Sequence, residues 1–162
     1  MIRILTIAAA ALALAACQPG PSVPDQSEAA KAFLAQNAAE PGVESLPNGL
    51  QYKVVRSGPE TGLRPQLTDE VKVHYEGKLI DGTVFDSSYE RGQPSAMELR
   101  RLVLGWQEAL QLMRPGDEWI LYIPPELGYG ADGTPRIPPG SALIFRIELI
   151  DVLPGPGRIQ QG

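Results

Sequence analysis

The sequence predicts an α+β domain, on three observations. Val71, Val73 and Tyr75 alternate with Lys72, His74 and Glu76, the period of a strand with one buried face. Between Gly105 and Met113 the apolar residues Trp106, Ala109, Leu110 and Met113 recur at helical spacing, and Pro115-Gly116 stops the segment. Leu143, Phe145, Ile147 and Leu149 then alternate against Arg146 and Glu148, which predicts a long last strand.

The size allows one such domain with extensions. The chain has 162 residues, 43% of them apolar and 20% charged, which fits a single ordered core rather than a disordered or multi-domain chain. A net charge of -5 argues against a nucleic-acid partner, because phosphate binding needs concentrated basic surface and the densest basic run is Arg100-Arg101. Cys17 is the only cysteine and His74 the only histidine. An internal disulfide and a thiolate metal cage are therefore excluded, no metal site or cofactor is expected, and no glycine-flanked serine presents a nucleophile.

Taken from the start, Arg3 precedes an uncharged Ala/Leu-rich stretch that ends at Leu14-Ala15-Ala16-Cys17. The stretch is shorter than the roughly 20 residues a membrane-spanning helix needs, so it reads as a secretion signal over 1–16. Leu-Ala-Ala-Cys resembles the bacterial lipobox, which implies lipidation of Cys17 and a membrane anchor; an ordinary signal with an incidental cysteine is the alternative. Gln18 after the cysteine resembles the pattern of outer-membrane lipoproteins and implies that membrane, with the domain facing the periplasm. Residues 17–26, rich in Pro, Gly and Ser, read as a flexible tether.

Residues 27–48 read as a short helix and linker. Ser27 is expected to cap a helix running to about Ala39, with Ala30, Phe33, Leu34 and Asn37 on one stripe and Pro41-Gly42 as the stop. The stripe is too short to hold two chains together, so a monomer is expected. Residues 49–153 form the main domain and 154–162 a tail. Within the domain, Asp81-Gly82 predicts a hairpin with a type I′ turn that returns through Val84 and Phe85. Glu118 to Ile123 reads as a strand covered on both faces. The Pro/Gly-rich loop from Pro124 to Ser141 reads as ordered and functional, since loops of that length in small domains are usually functional or disordered. His74, opposite to Tyr75 on its strand, is expected to be solvated or locally hydrogen-bonded.

Six blocks stand in one order: Val73-His74-Tyr75-Glu76-Gly77, Asp81 to Ser88, Gly105-Trp106, Tyr129-Gly130-Ala131, Ile137-Pro138-Pro139 and Leu143-Ile144-Phe145. This order resembles the FKBP-type peptidyl-prolyl isomerases. The Gly49-Leu50-Gln51-Tyr52 lead-in is similar to their macrophage infectivity potentiator subgroup, without its long N-terminal helix. The resemblance implies an antiparallel sheet of about five strands curled around one short helix, with an apolar pocket between them. It further implies that Tyr75, Phe85, Asp86, Trp106 and Tyr129 are catalytic. Arg91, Met97, Leu102, Val103, Ile137 and Phe145 would bind substrate.

Taken singly, each aromatic would pass for plain core and Asp86 for a turn-former. Ser95 and Met97 stand where the family commonly has aromatics, Leu127 stands at another such position, and Thr134 is at a variable loop position. By the resemblance the chain is a cis/trans isomerase assisting the folding of proline-containing exported proteins. It implies macrolides such as tacrolimus or rapamycin as ligands and requires no cofactor. A proline-segment binding module or holdase with little turnover is the alternative.

Overall fold

Helix α1 (Ser27–Asn37) is the first element of the computed structural model, which describes residues 23–156. Cys17, the expected signal and most of the tether lie outside the described residues. Ser27 is not the cap that was expected. It is the first helical residue, and Asp25 Oδ1 accepts both its N–H at 2.7 Å and its hydroxyl at 2.5 Å. The helix ends at Asn37 rather than at Ala39.

The rest of the chain runs β1 (Val43–Ser45), β2 (Gln51–Arg56), β3 (Glu70–Leu79), β4 (Val84–Ser87), β5 (Ser95–Glu98), α2 (Leu104–Leu112), β6 (Glu118–Ile123) and β7 (Leu143–Leu153). Among the described residues all pairings are antiparallel, in one sheet ordered β1-β2-β6-β7-β3-β4, with β5 also on β3. Seven strands replace the five expected. The two additional ones, β1 and β5, are too short to show a hydrophobic period.

One face of this sheet holds the core. Val71, Val73 and Tyr75 from β3 and Leu143, Phe145, Ile147 and Leu149 from β7 are buried with Trp106, Ala109 and Leu110 of α2. Gly105 lets the helix settle close, since a Cβ there would lie 2.7 Å from Ile123 Cγ2. Each buried aliphatic side chain contributes about 1.5–3 kcal/mol by leaving water. Strand β6 was expected to be covered on both faces. Trp119, Leu121 and Ile123 are buried on the core side, while Ile120 and Tyr122 are half-buried on the other.

Helix α1 supplies part of that second cover. Phe33 stands 6.1 Å from the Tyr122 ring, and Ala30 and Asn37 are buried. The Asn37 amide donates to Gln51 Oε1 at 2.8 Å, and Gln51 Nε2 donates to the Leu34 carbonyl at 2.9 Å. The helix is thereby a patch on the domain, joined to β2 by polar groups that satisfy one another.

The β3–β4 hairpin forms where expected, with a different turn. A type I′ turn needs two left-handed residues, and here only Gly82 has positive φ, at 90°. The Asp81 carboxylate instead accepts the Thr83 N–H at 2.8 Å, which holds the loop without a left-handed aspartate. Beyond the turn the register slips, with Lys78 opposite Val84 but Gly77 opposite Asp86. Phe85 is the extra residue of a β-bulge, and bulges re-aim side chains.

Candidate functional site

Because of that bulge, the consecutive residues Phe85 and Asp86 both line one cavity, which regular alternation would forbid. The cavity has a volume of about 430 Å³, within the usual range for a small-ligand site. Its wall comes from β3 (Tyr75), β4 (Phe85, Asp86), β5 (Met97), the segment before α2 (Arg101, Leu102, Val103), α2 (Trp106), the 124–141 loop (Tyr129, Thr134, Arg136, Ile137) and β7 (Phe145).

The aromatic members interlock edge to face. Trp106 meets Tyr75 at 5.2 Å and Phe145 at 5.1 Å, and Phe145 meets Phe85 at 5.5 Å, all nearly perpendicular. Each such pair contributes about 0.5–1.5 kcal/mol beyond simple burial. Gly77 makes the arrangement possible. A Cβ on it would lie 2.5 Å from Phe145 Cε1 and 2.7 Å from Phe85 Cζ. Trp106 Nε1 is buried with no hydrogen-bond partner among the described residues.

A polar cluster closes one side. The Tyr75 hydroxyl donates to Asp86 Oδ2 at 2.6 Å, while Arg91 donates to Asp86 Oδ1 at 2.5 Å and to the Tyr75 oxygen at 2.9 Å. Burial alone would push the Asp86 carboxyl up, but the Tyr75 hydroxyl and the Arg91 guanidinium outweigh it and hold the group below its ordinary range. Burial, then the bond to Asp86, pushes the Tyr75 phenol up, with Arg91 opposing. The backbone under Tyr75 is pinned by Ser88, whose Oγ accepts the Tyr75 N–H at 2.7 Å.

Tyr129 stands apart from this cluster. Its ring lines the cavity, its side chain is partly exposed, and its hydroxyl has no hydrogen-bond partner among the described residues. Burial and then the Asp86 charge push its phenol up, so at neutral pH it is a protonated donor.

Every residue expected at the site except Cys17 falls within the described part, and the structure brings all but one of these to the cavity wall. Arg91 reaches the cavity only through its bonds to Asp86 and Tyr75, so it positions rather than lines. Met97 lies on the wall, and Ser95 accepts from Arg91 Nη2 at 3.3 Å. Leu127 packs against the core cluster. His74 is locally bonded, with Nδ1 2.9 Å from Ser88 Oγ and its ring stacked 4.7 Å from Tyr89. Sequence reasoning did not single out Arg101 or Arg136 as lining the wall; Arg101 belongs to the short basic pair Arg100-Arg101 and Arg136 is a lone arginine at a loop tip, and neither carries a periodicity to betray it. Among the described residues, no group of three or more His, Cys, Asp or Glu could hold a metal ion.

The fold and site define a small antiparallel β domain with an aromatic pocket sealed by a helix. Residues 62–150 match the family model described as FKBP-type peptidyl-prolyl cis-trans isomerase, and residues 18–54 match the domain amino-terminal to it. The chain belongs to the FKBP-type family. It is 54% identical over 127 residues to the peptidyl-prolyl cis-trans isomerase Mip of Coxiella burnetii, covering 78% of this chain and 54% of that one. It is 47% identical over 123 residues to the outer membrane protein MIP of Legionella longbeachae, covering 75% and 52%. The crystal structure of FkpA from Escherichia coli superposes with a TM-score of 0.77 at 45% identity, covering 81% of this chain and 61% of that one. The chain spans about half the length of the curated relatives it matches.

Proposed function

We propose that this protein catalyses cis/trans isomerisation of X-Pro peptide bonds. The observation that carries the reading is the cavity itself, an apolar space that has room for a prolyl ring and its neighbours, walled by Tyr75, Phe85, Trp106 and Phe145 with one free phenol, Tyr129, at its side. Rotation about an amide is opposed by resonance, with a barrier of about 18–20 kcal/mol. In water the planar, charge-separated amide is well solvated, and the twisted form has lost part of that dipole. Moving the bond among aromatic rings penalises the planar state more than the twisted one.

The rate enhancement required is modest. Uncatalysed exchange takes about 10–100 s, and an ordinary turnover is about 10 per second. The gap is about a hundredfold to a thousandfold, or about 3–4 kcal/mol. Desolvation, shape selection for the twisted geometry and one hydrogen bond from Tyr129 together supply that amount. Asp86 is engaged by Tyr75 and Arg91, so its role is to hold the pocket wall rather than to move a proton.

In this reading Cys17 is lipidated, residues 17–26 are a tether, and the domain works in the bacterial envelope on proline-containing exported proteins. The outer membrane is supported by the name of the Legionella longbeachae relative. The same pocket would take macrolides such as tacrolimus or rapamycin. Helix α1 is committed to its own domain, which favours a monomer. Proline-limited refolding of a model protein, with and without this protein, tests the activity. Acceleration is expected; unchanged kinetics at substantial concentration would replace catalysis with simple binding.

A further inference from the structure

Arg101 and Arg136 line the cavity outside its aromatic cluster, and they differ in what balances them. Arg101 Nε lies 3.0 Å from Glu98 Oε2, which also takes Arg100 at 3.1 Å. One carboxylate is shared by two guanidiniums. Among the described residues Arg136 has no carboxylate at ion-pair distance. Its guanidinium donates only to the Phe85 carbonyl, at 3.4 Å, which is long for a hydrogen bond. Asp132, in the same loop, forms no ion pair with it, and the two oxygens of Asp86 are taken by Tyr75 and Arg91.

The loop holds this cation at the cavity deliberately close. Thr134 and Ile137 form a bridge, with the Thr134 N–H on the Ile137 carbonyl at 2.8 Å and the Ile137 N–H on the Thr134 carbonyl at 3.1 Å. Pro135 and Arg136 are the two-residue tip. Ile137 is buried in the cavity wall, and its neighbour Arg136 is carried to the exposed rim, against the backbone of the opposing wall residue Phe85. The whole chain carries a net charge of -5, so an unbalanced cation at this spot runs against the general field.

We infer that Arg136 is a specificity-determining residue that receives the carboxylate of an acidic side chain adjacent to the proline of the substrate. The inference rests on the reading of the cavity as a proline site. With the prolyl ring among the aromatics, a neighbouring side chain lies at the rim, where the guanidinium offers a fork of donors matched to a carboxylate. The pair is exposed and therefore weak, worth about a twofold to fivefold preference, and it is screened by salt.

Two matched series of short peptides test it, one with Glu, Gln or Lys before the proline and one with the same residues after it. Both kcat/KM for isomerisation and Kd by titration are measured. In one of the series the protein is expected to favour Glu over Gln about twofold to fivefold, with the ratio falling towards one in about 1 M salt. Arg136→Gln should bring the ratio to about one, and Arg136→Glu should create a preference for Lys over Gln. A merely structural arginine would lower all peptides alike and reverse nothing. A Glu/Gln ratio that is near one in both series, or is unchanged by Arg136→Gln, overturns the inference. Turnover of the Gln peptides with no charge preference would leave the isomerase reading standing and this one fallen. A Glu preference in Kd without any turnover would do the opposite.

Discussion

The Tyr75 hydroxyl donates a 2.6 Å hydrogen bond to Asp86, and Arg91 bonds to both partners. The carboxylate is thus a brace for a pocket wall. Asp86→Ala should lower kcat/KM about threefold to tenfold by freeing Tyr75 and Arg91, an effect on the scale of one or two net hydrogen bonds. Peptide isomerisation with circular dichroism as a folding control checks it.

The same brace makes a prediction about acid. The Asp86 carboxyl is held below its ordinary value in the folded protein, so the unfolded chain binds its proton first as pH falls. Its stabilisation is complete above about pH 4 and is lost as pH falls from there through the depressed folded value. The side chains of Asp86 and Arg91 are each more than a third exposed, so the contribution is under about 1 kcal/mol. Urea unfolding of the protein and Asp86→Ala should differ most at neutral pH and converge only as the pH falls below the depressed folded value. A gap that widens in acid would refute the assignment.

Gly77→Ala should act on the pocket from beneath. Its Cβ would press on Phe145 and Phe85 at 2.5 and 2.7 Å, and rigid rings cannot yield without moving the wall. A loss of about 1–3 kcal/mol in stability is expected, together with weaker peptide turnover. Unchanged melting and unchanged activity would show that the two rings are not fixed in this way.

Tyr129 and Phe85 separate hydrogen bonding from desolvation. Tyr129→Phe removes at most one donor, so kcat/KM should fall about threefold to tenfold. Phe85→Ala admits water to the bound amide and should cost more, provided circular dichroism shows a folded domain. A dead Tyr129→Phe beside a fully active Phe85→Ala would mean proton transfer, and would sink the desolvation mechanism.

Lipidation is tested at Cys17. Metabolic labelling with a fatty acid should mark the protein and leave Cys17→Ser unmarked; equal labelling of both would remove the anchor from the reading.

Much of the fold was legible in the sequence because its signals are periodic. The strands around Tyr75 and Phe145 and the helix of Trp106 announce themselves by alternation or by helical spacing, since burial of one face imposes the pattern. Strands β1 and β5 were not legible, being 3 and 4 residues long, β1 held by pairing with the adjacent β2 and β5 by pairing with the more distant β3. The turn at Asp81-Gly82 was misread because Asp81 used its side chain to cap Thr83 instead of turning left-handed.

For the site, the sequence by itself determined which residue types are available: five tyrosines, three phenylalanines, two tryptophans, one histidine and one cysteine, in an order that resembles one family. Only the tertiary structure decided which of them converge. A one-residue slip between β3 and β4 turns Phe85 and Asp86 to the same cavity, Gly77 leaves room for two rings to meet, and a bridge from Thr134 to Ile137 carries Arg136 to the rim. Each depends on strand register, on close approach of packed rings or on where a loop tip meets the opposite wall, and the periodic pattern of residue types does not encode those.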